Sequence, residues 1–257
     1  MNEHPTAWVR AAALVAITAG VWPIFALIFS VDFEALGRAF SDPNIRSALG
    51  QSVLSASGAL ALCMALGTPI AWALARRRLP FNRFFRSLVA LPLALPPVVA
   101  GLALLAAFGR NSWFGLDLAF SPAAAAIAGA FVALPLYTLT LEAGFRRVDP
   151  ELEAAASTLG ASPWHVWRTI TLPLTLPALS AGSALAWGRA LGEFGATLVF
   201  AGNLPGKTQT LPLAIYDALH RDPEAAMALA CFLLALTVAL LAVWRDRWPR
   251  LAEGGEA

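Results

Sequence analysis

Residues 201–208 read Ala-Gly-Asn-Leu-Pro-Gly-Lys-Thr. A small residue, four positions and then Gly-Lys-Thr is the outline of a loop that cradles phosphates, although the strict pattern has glycine where Ala201 stands. Such a loop needs a strand before it and a helix after it, so that backbone amides and a helix N-terminus converge on the phosphates. Here a long apolar run comes first, and Gln-Thr-Leu-Pro follows, with Pro212 close behind Thr208. A second pair capable of chemistry is Arg189 and Glu193, four residues apart and so on one face of a helix. Cys63 and Cys231 both lie inside apolar runs, and His4, His165 and His220 are scattered. Neither set has the spacing of a disulfide framework, a metal centre or a histidine-based active site, and no cofactor is expected.

The elements that must position these residues are membrane helices. Hydrophobic residues make up 58% of the 257 and charged residues only 13%, whereas a soluble domain carries about 25% charged. Mean hydropathy is +0.67, and the net charge of +2 is too small to suggest nucleic acid. About 20 apolar residues span a bilayer core as helix. Six stretches qualify, at about 11–30, 49–75, 87–108, 122–141, 177–200 and 225–244. The first run is longer than the ~7–15 apolar residues of a cleavable leader, and is read as a permanent span. The expectation is an all-α membrane protein with six transmembrane helices in one domain, 1–257.

Arginine and lysine orient it, because they concentrate on the cytoplasmic side. With the N-terminus inside, the inner segments hold Arg10, the run from Arg76 to Arg86, Arg146, Arg147, Arg168 and the C-terminal arginines, twelve of eighteen cations. Both termini are therefore expected in the cytoplasm. Lys207 then falls outside, where ATP is not available. Arg189 and Glu193 fall within the fifth span. Charges there cost at least about 2.5–3.5 kcal/mol each, so they should face the interior and pair. Two readings remain, an ion pair that fixes packing or a border of a translocation path or its gate. Pro92, Pro96 and Pro97 crowd the third span, and Pro69 and Pro135 interrupt the second and fourth. Ordinary kinks and a broken, path-lining third helix both fit.

Between the fourth and fifth spans lies an inner loop at about 142–176. Asp149 can cap a short helix with Pro150 at its first position, and Gly160 can end it. Ser162 can cap a second with Pro163 following. Trp164 and Trp167 on this second helix need a partner surface, either lipid headgroups or protein.

This loop resembles the membrane subunits of ATP-binding-cassette importers, which carry Glu-Ala-Ala, a glycine, nine residues and Ile-x-Leu-Pro. Here these are Glu153, Ala154, Ala155, Gly160, and then Ile170, Leu172 and Pro173. One departure is visible: the glutamate commonly lies six residues before the glycine, where this chain has Ala154, with Glu153 one earlier. The segment Gly188–Leu219, "GRALGEFGATLVFAGNLPGKTQTLPLAIYDAL", is similar to the corresponding segment of molybdate permeases; sulfate and thiosulfate permeases are near relatives that share its Arg-Ala-x-Gly-Glu core.

The resemblance implies a type I importer permease fold in the bacterial cytoplasmic membrane, working as a homodimer without an ATPase site of its own. It implies two cytoplasmic ATPase subunits docked on the loop, with Trp164, Trp167 and Arg168 beside Gly160 in the contact. It also implies a periplasmic oxyanion-binding protein on the outer face, near Asn203 and Lys207. Molybdate is the expected cargo. Tungstate, sulfate or thiosulfate import, or a stand-alone secondary transporter, are the alternatives.

Overall fold

The computed structural model describes residues 7–110, 112 and 115–245. His4, Arg247 and Arg250 of the sequence argument lie outside them. The described residues form helices joined by turns: α1 Ala7–Phe29, α2 Phe33–Ser41, α3 Pro43–Leu62, α4 Thr68–Ala75, α5 Asn82–Ala94, α6 Pro97–Phe108, α7 Pro122–Arg147, α8 Pro150–Thr158, α9 Pro163–Val166, α10 Leu172–Leu191, α11 Gly195–Phe200, α12 Leu211–Leu219 and α13 Pro223–Arg245. Among the described residues, five helical stretches are long and apolar enough to cross a membrane: Trp8–Phe29, Pro43–Ala75, Pro122–Arg147, Pro163–Leu191 and Pro223–Leu240. The pair α5 and α6, bent by 113° at the break between them, makes six when it is counted as one broken span.

Two expectations change in detail, and one left open is decided. The third span is broken rather than merely kinked, because Pro96 and Pro97 follow Leu95 directly, and a residue before proline is pushed out of the helical region. Leu95 is extended, at φ −76° and ψ 136°. The fifth span begins at Pro163 rather than 177 and ends at Leu191 rather than 200. Gly192 and Gly195 flank the break, and α11 then sets off on its own. The inner loop shrinks for the same reason: α7 persists to Arg147, and only 148–162 separates it from the next long helix.

Two long helices are assembled through a five-residue π turn each, Cys63–Gly67 between α3 and α4, and Trp167–Thr171 between α9 and α10. In both, a proline follows closely, Pro69 and Pro173. A proline ring clashes with the carbonyl four residues back and supplies no N–H. Widening the helix around residues 65 and 169 accommodates that clash, and keeps the helix running.

At the centre, α7 packs against α10, α3, α4 and α5. The contacts are made of small residues, Ala56, Ala59, Ala130, Ala133, Ala186 and Ala190, around Tyr137, Leu141, Phe145, Trp187 and Leu191. Lipid tails are as apolar as leucine, so close backbone approach and interhelical hydrogen bonds hold such bundles. Thr68 and Tyr137 share a 2.8 Å hydrogen bond, and Trp187 Nε1 donates to Ser57 Oγ at 3.3 Å. A second cluster joins α6, α7 and α11. There a Cβ on Gly101 would stand 2.7 Å from Val199 Cβ and 3.0 Å from the Ala196 carbonyl, so only glycine lets α11 lie on α6. By contrast α1 touches α13, and none of its spanning window is buried.

Candidate functional site

The inner-loop residues and the Arg189–Glu193 pair lie at opposite ends of the helix Pro163–Leu191, and residues 201–208 form a turn of their own. At the start of that helix, Asp149 Oδ1 accepts from the Glu151 amide at 2.9 Å and Ser162 Oγ from the His165 amide at 3.3 Å. These caps define α8 and α9 as the sequence implied. Gly160 sits between them at φ +90°, a conformation that costs side-chain-bearing residues about 1–2 kcal/mol.

Glu153 is the hub of this end. Its Oε1 accepts from Arg76 Nη2 at 2.5 Å and from Thr171 Oγ1 at 2.7 Å. Arg76 Nη1 donates in turn to the Val148 carbonyl at 3.2 Å. One carboxylate thus fastens α8 to the end of α4 and to the π turn that leads into α10. The displaced glutamate of the sequence therefore has a structural task at position 153, whereas Ala154 and Ala155 are exposed. Leu172 and Pro173 open α10, and Ile170 and Arg168 lie on the π turn. Trp164 and Trp167 stack, with ring centroids 5.1 Å apart and planes 17° apart. The outer surface is apolar: Leu159 is 89% exposed, Trp164 64% and Leu152 49%.

Sequence reasoning missed Arg76 and Thr171 as partners of Glu153. It also missed Glu142, which is 1% exposed in its side chain and pairs with Arg146 at 2.6 Å and Arg86 at 3.2 Å, linking α7 to α5. A lone acid at the end of an apolar span was the available signal.

At the far end, Arg189 occupies the last turn of α10, where a cation meets the negative end of the helix dipole. Glu193 lies just beyond that helix, not within it, and is 2% exposed. Its Oε2 pairs with Arg189 Nη1 at 2.7 Å, and its Oε1 accepts from the Ala196 amide at 3.0 Å. The carboxylate therefore closes one helix and opens the next, which turns α11 toward α6.

The loop 201–208 closes on itself. The amides of Lys207, Thr208 and Gln209 all donate to the Leu204 carbonyl, at 3.0, 2.9 and 3.0 Å. Thr208 Oγ1 accepts from the Leu204 amide at 3.2 Å and donates to the Gly202 carbonyl at 3.3 Å. A helix does follow, but α12 starts at Leu211 with Pro212 in its first turn. The amides a phosphate needs are consumed internally. Asn203 and Gln209 converge on Asp217, with Nδ2–Oδ1 at 3.0 Å and Nε2–Oδ2 at 2.8 Å, and Gln209 also donates to Asn203 Oδ1 at 2.9 Å. Asn203 thus braces α12, and Asp217, missed in the sequence, is its anchor. Lys207 is exposed and lines a cavity with Arg110 and Asp117.

Residues 67–250 match the family described as "Binding-protein-dependent transport system inner membrane component". The chain is 44% identical to the molybdenum transport system permease protein ModB of Mycobacterium tuberculosis over 243 residues, covering 92% of this chain and 91% of that protein. It is 36% identical to the sulfate transport system permease protein CysW of Synechocystis over 226 residues, covering 85% and 82%. Among solved structures, a bacterial alginate ABC transporter in complex with its alginate pentasaccharide-bound periplasmic protein superposes with a TM-score of 0.69 at 15% identity, covering 95% of each chain. At that identity the likeness speaks for the fold, that of the type I importer permeases. The family match covers well over half the chain, and with the identity to ModB it carries the conclusion: the chain belongs to the inner-membrane components of binding-protein-dependent transport systems.

Proposed function

We propose that this chain is the membrane subunit of an ATP-driven molybdate importer, and that two copies form the translocation pathway. ATP hydrolysis takes place on separate subunits, which dock on the α8–Gly160–α9 element. A periplasmic binding protein delivers the anion at the opposite end, near Asn203 and Lys207. Identity to ModB over nearly the whole chain supports molybdate as cargo. The weaker identity to CysW keeps sulfate as the second reading.

The observation that carries the coupling scheme is the continuity of Pro163–Leu191. The apolar knob of Leu159 and Trp164 needs a protein partner to cover it. It is clamped by Glu153 to Arg76 and Thr171, so force applied there does not dissipate in a loose loop. The helix then runs roughly 39 Å at 1.5 Å per residue from Pro163 to Arg189. A displacement imposed by ATPase closure reaches the Arg189–Glu193 turn as rigid-body motion and shifts α11 against α6, which gives alternating access. The neutralised Arg189–Glu193 pair suits a gate better than a binding site for a divalent oxyanion, which an unpaired carboxylate repels.

Uptake of labelled molybdate by membranes holding the whole system, against excess sulfate or tungstate, tests the cargo. Competition by tungstate and weak competition by sulfate are expected. Flux abolished by sulfate but untouched by tungstate would assign the chain to sulfate import instead. Co-purification of the ATPase subunit, lost when Gly160 or Trp164 is altered, tests the docking. Uptake that persists without any ATPase partner would make the chain a secondary transporter.

A further inference from the structure

From the structure we infer that the turn between α4 and α5 holds the phosphate of an anionic phospholipid. A cavity of about 550 Å³ is lined there by Arg77, Arg83, Arg86 and Arg146, together with Phe81 and Phe84. Glu142 neutralises part of this charge through Arg86 and Arg146. Among the described residues no carboxylate pairs with Arg77 or Arg83, and both are exposed. Four guanidinium groups against one carboxylate leave a net positive hollow, and guanidinium forks match phosphate oxygens in pairs.

The turn is shaped at a cost. Arg77 and Phe81 both adopt left-handed backbone, at φ +50° and +53°, which non-glycine residues avoid. Asn82 and Arg83, the first residues of α5, line the hollow, so the positive end of that helix adjoins it.

A lipid, rather than a free anion, is indicated by what adjoins the arginines. Phe81 is 83% exposed and Phe84 63%. On α5, Phe84, Leu88 and Leu91 follow at i, i+4 and i+7, one helix face, and Leu88 and Leu91 are 50% and 48% exposed. That apolar stripe extends roughly 10 Å from the arginines. A basic hollow continuing into an apolar stripe is complementary to a headgroup phosphate with its acyl chain. Basic pockets at the cytoplasmic ends of membrane helices bind anionic headgroups for this reason. The inference rests on the orientation proposed above, with this end at the cytoplasmic leaflet.

Native mass spectrometry of the full chain with its ATPase partner, titrated with phosphatidylglycerol or phosphatidylcholine, tests it. Selective retention of phosphatidylglycerol is expected. Arg83→Gln should lower its occupancy roughly fivefold, and the Arg77→Gln, Arg83→Gln pair by roughly 30-fold, while Arg83→Lys retains most of it. Arg38→Gln, far from the hollow, should change nothing, and an unaltered melting temperature shows that the variants fold. Equal occupancy in the variants overturns the inference. Displacement by millimolar inorganic phosphate makes this a free-anion site, and loss of lipid on ATPase binding makes it a protein contact; either result also overturns it. Molybdate-stimulated ATP hydrolysis of the unaltered complex, recorded alongside, reports on the importer reading separately.

Discussion

Glu153 and Glu193 are both carboxylates bonded to arginine, at opposite ends of one long helix, yet they do different work. Glu153 joins parts distant in sequence: its partners are Arg76, 77 residues away, and Thr171, 18 away. Glu193 stays local, pairing with Arg189 one turn back and Ala196 just ahead. The first is a clasp between helices and the second is a corner between two helices. A clasp transmits force only while closed, whereas a corner sets the direction in which α11 leaves α10. Their surroundings differ in the same sense. The Glu153 side chain is 23% exposed, so water can take over when it opens. Glu193 is 2% exposed, and has no such substitute.

The largest effect is therefore expected at the corner. Glu193→Ala removes both the ion pair and the α11 cap and strands Arg189 beside apolar surface. A broken buried pair costs about 3–5 kcal/mol, and the lower end applies because Arg189 is partly solvated. Loss of folded protein from the membrane, measured by detergent-resistant yield, is the expected outcome. Glu193→Gln keeps an acceptor for the Ala196 amide and loses only the charge. It should assemble normally and transport poorly; normal uptake in a normally assembled complex would reduce the pair to packing.

At the clasp, Glu153→Gln leaves an oxygen for Thr171 but forfeits the charge on the bond to Arg76, at about 1.5–3 kcal/mol for a charge-assisted hydrogen bond. A double-mutant cycle with Arg76→Gln should give a coupling of about 1–3 kcal/mol in thermal denaturation. Near-zero coupling would mean the two groups act independently, and the clasp would lose its place in force transmission. Gly160→Ala comes next. Its φ of +90° implies about 1–2 kcal/mol of strain, read as a lower melting temperature together with weaker ATPase co-purification.

How much of this arrangement the sequence discloses depends on distance along the chain. The caps Asp149 and Ser162, the turn at Gly160 and the spacing of Arg189 and Glu193 are local patterns, and all are legible. The 113° bend is not, although three prolines mark the place: its angle depends on α11 packing over Gly101, and so on residues a hundred positions later. The early end of the fifth span is hidden because Ala196 to Phe200 is as apolar as the helix before it; hydropathy cannot register a corner inside an apolar run. Arg76 stood among many arginines, and nothing but the fold selects it for Glu153. Asp217 and Glu142 were each a lone acid beside apolar residues, a signal that could have been used.

The smallest effect is expected where the sequence looked most like a catalytic loop. Lys207→Ala removes an exposed cation whose backbone amide, not its side chain, closes the turn on Leu204. Surface substitutions of this kind stay within about 0.5 kcal/mol in stability. What should change is association with the periplasmic binding protein: losing a rim charge alters the on-rate and its salt dependence more than the final affinity. Stopped-flow binding at two ionic strengths measures this. Identical rates in both would remove Lys207 from the docking face. Thr208→Ala is the complementary probe, since Thr208 is fully buried and its hydroxyl holds Leu204 and Gly202. In a phosphate loop the lysine is the indispensable residue and its side chain does the binding. In a self-closed turn the order reverses, so the threonine variant should be the one that loosens the loop and, through Asn203 and Asp217, the last turn of α12.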